Sequence, residues 1–323
     1  MSDMKWRTEV MPDPLQTKIA VNAKCIFAGS CFAENLGAFL QQYKFNVLVN
    51  PTGIIFNPIA IANALETGAS NTIPSQDRLF NHVGLWRHPD VHSNLAHPNR
   101  DSAWNLIENA YNALHQHFTQ SSHIAVTFGT AWVYKELSTG KIVANNHKLP
   151  AAHFTKQLLS VNEIVNTWQP FIAQFPEKQW IFTVSPVRHT RDGMMQNARS
   201  KAILIESVNQ LAENNKNVYY FPAYEIMMDD LRDYRFYEQD LIHPNQQALQ
   251  YIRSLFVQTC LDDHAAKWMA AFEPIIAARN HRPLFPDSQE HAAFKKSILL
   301  KLESLKKEYP IMHIAEELDY FAS

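Results

Sequence analysis

The sequence predicts an α/β protein: a three-layer α/β/α arrangement with a five-stranded parallel sheet in flavodoxin-like order, followed by a helical C-terminal extension. Three observations carry this. Short apolar runs alternate with stretches of helical periodicity up to about residue 260, the rhythm that builds parallel sheets. Right-handed crossovers between such strands place helices on both faces. Beyond that point the strand-like runs stop and helical spacing alone continues, so residues 1–260 form the expected α/β domain and 261–323 the extension.

The first unit sets the pattern. Cys25 to Ala28 is an apolar run closed by Gly29, and Phe32, Leu36, Phe39 and Leu40 then recur at helical spacing. Phe45 to Val49 is the second strand, ended by the turn residues Asn50-Pro51-Thr52-Gly53. Asn57-Pro58 opens a helix reaching Leu65, with asparagine as cap and proline in the first turn. Residues 68–102, rich in Asn, Ser, His, Pro and Asp, read as a long irregular loop; such a loop in a compact domain is a lid or a functional segment.

Ala103 to Thr119 has helical spacing and feeds His123 to Phe128, the third strand, closed by Gly129-Thr130. A hairpin is expected between Trp132–Leu137 and Ile142–Ala144, around Ser138-Thr139-Gly140-Lys141. Ser160 with Glu163 forms a capping box ahead of a helix, and Trp180 to Val184 is strand four. A long helix from Met194 to Asn214 turns Ala198, Ile203, Leu204, Val208 and Leu211 inward, and Val218 to Phe221 is strand five.

In the extension, Ala265 to Ala278 is helical and Pro283 to Pro286 breaks it. Asp287 with Glu290 is expected to cap a charged helix carrying Phe294, Ile298, Leu299, Leu302 and Leu305. That stripe needs a partner: the helices of the main domain, or a second copy in a homodimer through the C-terminal helices.

Composition bounds the function. With 46% apolar residues and a net charge of −2 there is no basic excess to hold nucleic acid, and no apolar run approaches the ~20 residues of a membrane span. The N-terminus lacks the apolar core of a secretory signal. Three cysteines, Cys25, Cys31 and Cys260, suit free thiols in a reducing compartment. A cytoplasmic location is expected, and nothing in the sequence asks for a cofactor.

A sheet with strand order 2-1-3-4-5 switches direction between strands one and three, where doubly wound folds bind ligands. Ser30 follows strand one and Thr130 follows strand three. At a strand-to-helix junction the free N–H groups and the helix dipole favour negative charge, so Ser30 is either an N-cap alone or also a nucleophile whose alkoxide and oxyanion are stabilised there. Asp240 and His243, three apart before Pro244, can set a carboxylate against one ring nitrogen while the other faces the crevice, completing nucleophile, base and orienter.

Gly29-Ser30-Cys31-Phe32-Ala33 is the signature of the GSCFA family, which is similar to the SGNH (GDSL-like) hydrolases. The resemblance continues through Asn50-Pro51-Thr52-Gly53, Phe128-Gly129-Thr130-Ala131-Trp132, Ser185-Pro186-Val187-Arg188-His189 and Asp240-Leu241-Ile242-His243-Pro244-Asn245, in the same chain order over roughly residues 20–260. It implies Ser30 as nucleophile, Asp240 and His243 as the acid–base pair, and the backbone N–H groups of Ser30 and Gly53 as oxyanion donors. The third block departs from the pattern: Gly129-Thr130-Ala131-Trp132 stands where G-x-N-D is usual. Thr130, Asn50, Asn145 or Asn146 is left to replace the missing amide, with Asn145 and Asn146 ranked first.

The implied activity is a serine esterase that removes a small acyl group, such as acetyl, from a carbohydrate or similar polyol. Acyl transfer by the same triad and a non-catalytic ligand-binding role are the alternatives, with a metal-dependent phosphoesterase more distant. Arg188, His189, Trp132 and His92 are candidate substrate contacts. Arg188 has a structural alternative, pairing with Asp229, Asp230 or Asp233. His82, His88, His92, His97, His115 and His117 lack nearby cysteine or paired acidic ligands, so no metal site is expected.

Overall fold

The computed structural model describes residues 7–322. In chain order the first half contains β1 (Lys24–Gly29), α1 (Cys31–Gln42), β2 (Asn46–Val49), α2 (Pro58–Ala69), β3 (Phe80–His82), β4 (Leu85–Arg87), α3 (Arg100–Gln120), β5 (His123–Phe128), β6 (Trp132–Glu136) and β7 (Phe154–Leu158). The second half contains α4 (Val161–Ala173), β8 (Gln179–Val184), α5 (Met194–Asn214), β9 (Val218–Tyr220), the single turn α6 (Ala223–Glu225), α7 (Gln246–Cys260), α8 (Asp263–Asn280), α9 (Gln289–Glu308) and α10 (Ala315–Ala322).

Along β1, Cys25 and Phe27 enter one buried apolar cluster while Ile26 and Ala28 enter the other. A strand that is apolar on both faces must be covered on both, as a helix-flanked parallel sheet requires. The five parallel strands run β2-β1-β5-β8-β9, the order expected from the sequence. Residues of α1, α7 and the extension share one cluster, and residues of α2, α3, α4 and α5 share the other.

Local chemistry sets the helix starts. Asn57 Oδ1 accepts the Ala60 N–H at 2.8 Å with Pro58 in the first turn of α2, and Ser160 and Glu163 form the reciprocal capping box of α4. The segment 68–102 is more ordered than expected: it holds the β3–β4 hairpin and two 3-10 turns, Gln76–Arg78 and Ser93–Leu95. Arg78 grips Asp90 through two bonds of 2.7 and 2.6 Å and reaches Glu136 at 3.2 Å, pinning this segment to the β6 strand.

Three expectations are corrected. The turn at Ser138–Lys141 does reverse the chain, but the main partner of β6 is β7, and Ile142 makes only an isolated bridge to Lys135. Ala198 is exposed; the inner face of α5 is Asn197, Ser200, Lys201, Leu204, Ser207, Val208 and Leu211. The cap of α9 is Ser288, accepting the His291 N–H at 3.1 Å, one residue beyond Asp287.

The extension packs on the sheet's α1 side. Trp268 Nε1 donates to the Tyr43 carbonyl at 2.6 Å, and the Tyr43 hydroxyl bonds Glu273. Ile298, Leu302 and Leu305 are buried in the same cluster as residues of α1 and α7, so this part of the stripe is covered within the chain. Glu317, 3% exposed, takes Lys44 at 2.7 Å and Arg279 at 2.6 Å, fixing α10 to the end of α1 and to α8.

Glu317→Gln is therefore expected to cost about 2 kcal/mol, because it removes the buried carboxylate shared by Lys44 and Arg279 and leaves only the exposed Glu316 to answer them. Glu316→Gln, at a carboxylate 74% exposed, is expected to cost under about 1 kcal/mol. Urea unfolding midpoints of both variants decide it, and equal small shifts would show that Glu317 does not anchor the helix.

Candidate functional site

Gly29 determines how β1 ends. Its φ is 128°, and a Cβ there would lie 2.2 Å from the Thr127 carbonyl oxygen, so glycine alone permits this approach of β1 to β5. Ser30 then donates its N–H to that same oxygen at 3.1 Å. Its side chain caps α1 by accepting the Phe32 N–H at 3.3 Å. The residue is 1% exposed.

The turn after β2 wraps around this point. Asn50 Oδ1 accepts the Gly29 N–H at 2.9 Å, the Ile55 N–H donates to the Gly29 carbonyl at 2.9 Å, and the Gly53 N–H donates to the Asn50 carbonyl at 2.8 Å. Two donors implied by the family resemblance, the N–H groups of Ser30 and Gly53, are thus already engaged by backbone carbonyls. Gly53 also has no room for a side chain, since a Cβ would stand 2.3 Å from His92 Cβ.

The loop before α7 brings Asp240 and His243 into contact. Asp240 Oδ1 accepts the N–H groups of Ile242 at 2.8 Å and His243 at 3.0 Å, while Oδ2 meets His243 Nδ1 at 2.6 Å. The His243 backbone N–H, then its ring, then the Ile242 N–H hold the Asp240 carboxyl down to about 2. An ionised Asp240 keeps the proton on Nδ1 and leaves Nε2 as the basic nitrogen. Among the described residues no hydrogen bond joins His243 to the Ser30 hydroxyl, whose partner is the Phe32 N–H.

Arg188 serves this loop. Its N–H donates to the Ile242 carbonyl at 3.3 Å, its guanidinium to the Leu241 carbonyl at 3.4 Å, and it lies 4.1 Å over the Tyr237 ring. None of the three aspartates considered as partners takes it; Asp230 pairs instead with Arg7 at 3.4 Å and accepts the Tyr251 hydroxyl at 2.7 Å. His189 is packed edge-on against Phe56 at 5.2 Å, and burial, then the Lys201 charge, push its imidazole down to about 4. The Arg188 bonds to Leu241 and Ile242 set the loop of Asp240 and His243 beside the exit of β8.

A cavity of about 270 Å³ brings together His92, Thr130, Trp132, Asn145, Asn146 and His189 with Lys156, Arg191 and Asp192. The Lys156 ammonium stands 5.1 Å from the Trp132 ring and 5.9 Å from that of Tyr134, and it pairs with Asp192. The Thr130 hydroxyl accepts the Trp132 N–H at 3.1 Å and meets Ser200 Oγ at 3.1 Å. Asn145 is engaged too: its Nδ2 donates to Ser93 Oγ at 3.2 Å and its Oδ1 accepts the His147 N–H at 2.8 Å. One of the two Asn145 Nδ2 protons is thus taken by Ser93. Asn146 Nδ2 and the buried Asn50 Nδ2 have no protein partner among the described residues.

Sequence reasoning missed two parts of the site. His147, 2% exposed, bonds the His88 carbonyl at 2.7 Å and Ser93 at 3.1 Å, clamping the residues after β6 to the segment that carries His92. Lys201, on the inner face of α5, donates to the carbonyls of Gly129 at 2.9 Å and Ser185 at 2.6 Å. The available signal was a lysine three residues before Leu204 on an otherwise enclosed helix face. The six histidines considered as metal ligands are separately occupied or apart: among the described residues no three His, Cys, Asp or Glu side chains group as a metal site. All three cysteines are free, and no described helix is long and apolar enough to cross a membrane.

The fold and site together define a doubly wound parallel α/β protein with a capping serine at the exit of β1 and an Asp–His pair on the loop before α7. The chain belongs to the GSCFA family: the model described as GSCFA family matches residues 24–256, and that described as GSCFA domain protein, C-terminal domain, matches residues 272–323. Comparison with curated proteins and with solved structures gave no match.

His147 and His189, each about 4 in the folded protein against an ordinary value near 6.5, remain neutral when folded. The unfolded chain takes up their protons first as pH falls, so this contribution to stability is complete above pH ~6.5 and is lost between ~6.5 and ~4. Melting temperature should fall over that window in wild type and more gently in His147→Gln, whose unfolded chain has no imidazole to protonate there. An identical acid dependence in both would show that His147 does not contribute.

Proposed function

We propose that the protein is a serine esterase of the SGNH (GDSL-like) kind, removing a small acyl group such as acetyl from a carbohydrate or similar polyol. The observation that carries this reading is the Asp240–His243 pair, with its carboxylate held ionised and its Nε2 unengaged, at the sheet end where Ser30 caps α1. In this reading the Ser30 hydroxyl turns from the Phe32 N–H to His243, which takes its proton as the oxygen attacks the acyl carbon. The protonated imidazole then gives that proton to the departing alcohol. Water, or a second hydroxyl in an acyl transfer, enters by the reverse path.

The oxyanion falls to the donors that remain. Asn50 Nδ2 is buried without a partner in a side chain already bonded to Gly29, next to the serine, and takes precedence over Asn146. In this reading the sugar enters the cavity lined by Trp132, Tyr134, Lys156 and Asp192, where the Lys156–Asp192 pair meets its hydroxyls. A second reading, ligand binding without turnover, draws on the enclosure of Ser30 and the engaged N–H groups of Ser30 and Gly53.

A fluorophosphonate probe followed by mass spectrometry separates the two, alongside hydrolysis of 4-nitrophenyl acetate. One adduct, on Ser30, is expected, and folded protein with no adduct there would favour the binding reading. His243→Ala should reduce kcat by several orders of magnitude. Asn50→Ala should reduce kcat by about 100- to 1000-fold with KM little changed, and Asn146→Ala should do much less. The opposite order would move the oxyanion donor to Asn146.

A further inference from the structure

Lys201 is 1% exposed, and its ammonium bonds two carbonyls, those of Gly129 and Ser185, at the ends of β5 and β8. No carboxylate lies within ion-pair distance of it among the described residues. The groups that face it are the Cys31 thiol at the start of α1, His189 beyond β8, and the Tyr224 ring on α6, 5.6 Å from the ammonium. Cys31 and Tyr224 titrate above their ordinary values and His189 below its own, so all three are uncharged near neutrality.

A buried ammonium without a counter-ion is costly. Cys31, which faces it, is the first residue of α1, so the ammonium adds to the positive end of that helix's dipole. Two positive fields therefore converge on the N-terminus of α1, where Ser30 is the cap, and the one carboxylate in that first turn, Glu34, is exposed to solvent. That placement becomes more favourable when negative charge develops in the cleft. The carbonyl bonds give the ammonium a fixed position, and Ser200 Oγ, accepting the Ala131 N–H at 2.8 Å, holds the same third-block segment from the same helix.

We propose that Lys201 is the buried cation of this site, a positioning residue that holds the exits of β5 and β8 and stabilises from behind the anion formed at Ser30. It supplies positive field at the block where the usual asparagine is missing. The proposal rests on the esterase reading for the identity of that anion. Burial pushes the Lys201 ammonium down to about 7, so the charge is present below that pH and is lost above it.

The test reads kcat against pH for wild type, Lys201→Met and Lys201→Gln. Wild type should show an alkaline limb beginning near pH 7; both variants should lack it and plateau about 100-fold lower, with KM little changed. Glutamine keeps a donor for the carbonyls without the charge, so a purely structural lysine would leave Lys201→Gln near wild type. That result, or a wild-type profile flat to pH 9, would overturn the proposal, and the wild-type profile stands even where a variant fails to fold. Should Ser30 take no fluorophosphonate, the esterase reading fails separately. The charge is then read from the melting-temperature gain on adding inorganic phosphate: larger at pH 6 than at pH 8.5 in wild type and absent in Lys201→Met supports the buried cation. Equal gains in both proteins overturn it.

Discussion

The approach of β1 to β5 at Gly29 is the constraint on which the site depends. Because no Cβ intervenes, the Thr127 carbonyl can receive the Ser30 N–H, and the chain passes directly from strand into helix. The serine hydroxyl is thereby fixed at the first turn of α1. The same contact orders the surroundings: Asn50 reaches the Gly29 N–H, and Gly53 closes the turn beneath His92. A methyl group at Gly29 would separate β1 from β5 and scatter all of these positions together.

The fold was largely legible because its signals are local and periodic. Cys25 to Ala28, His123 to Phe128 and Trp180 to Val184 are short, mainly apolar runs that are buried throughout, and Asn57-Pro58 and Ser160–Glu163 mark helix starts by their own hydrogen bonds. The segment 68–102 was not legible, because its order comes from distant partners: Arg78 with Glu136, and Ser93 with His147. Three-residue strands such as β3 and β4 carry too little periodicity to register.

The site divides the same way. Asp240 and His243 are three residues apart, so their contact follows from local geometry. Lys201 lies 72 residues from Gly129, and only the topology brings α5 under the third block. The engagement of donors was also beyond the sequence. Ser30 and Gly53 have the residue types an oxyanion hole uses, yet whether an N–H is free depends on which carbonyl the fold places opposite it.

In the esterase reading, the distribution of restraint says which half of the triad moves. Ser30 is held by the sheet through its N–H and by α1 through its side chain, and the segment of His92 that lies against the turn at Gly53 is anchored by His147, Asn145 and the Arg78–Asp90 pair. The loop of Asp240 and His243 is about half exposed and is tied to the β8 exit by two long bonds from Arg188, 3.3 and 3.4 Å. Leu241 within it has φ of 57°, a left-handed conformation that costs a leucine some strain. The compliant element is therefore the acid–base loop. The Asp–His geometry is internal to that loop, so it survives such a shift intact, and the base arrives at a serine whose backbone the sheet has already fixed and whose hydroxyl alone must turn.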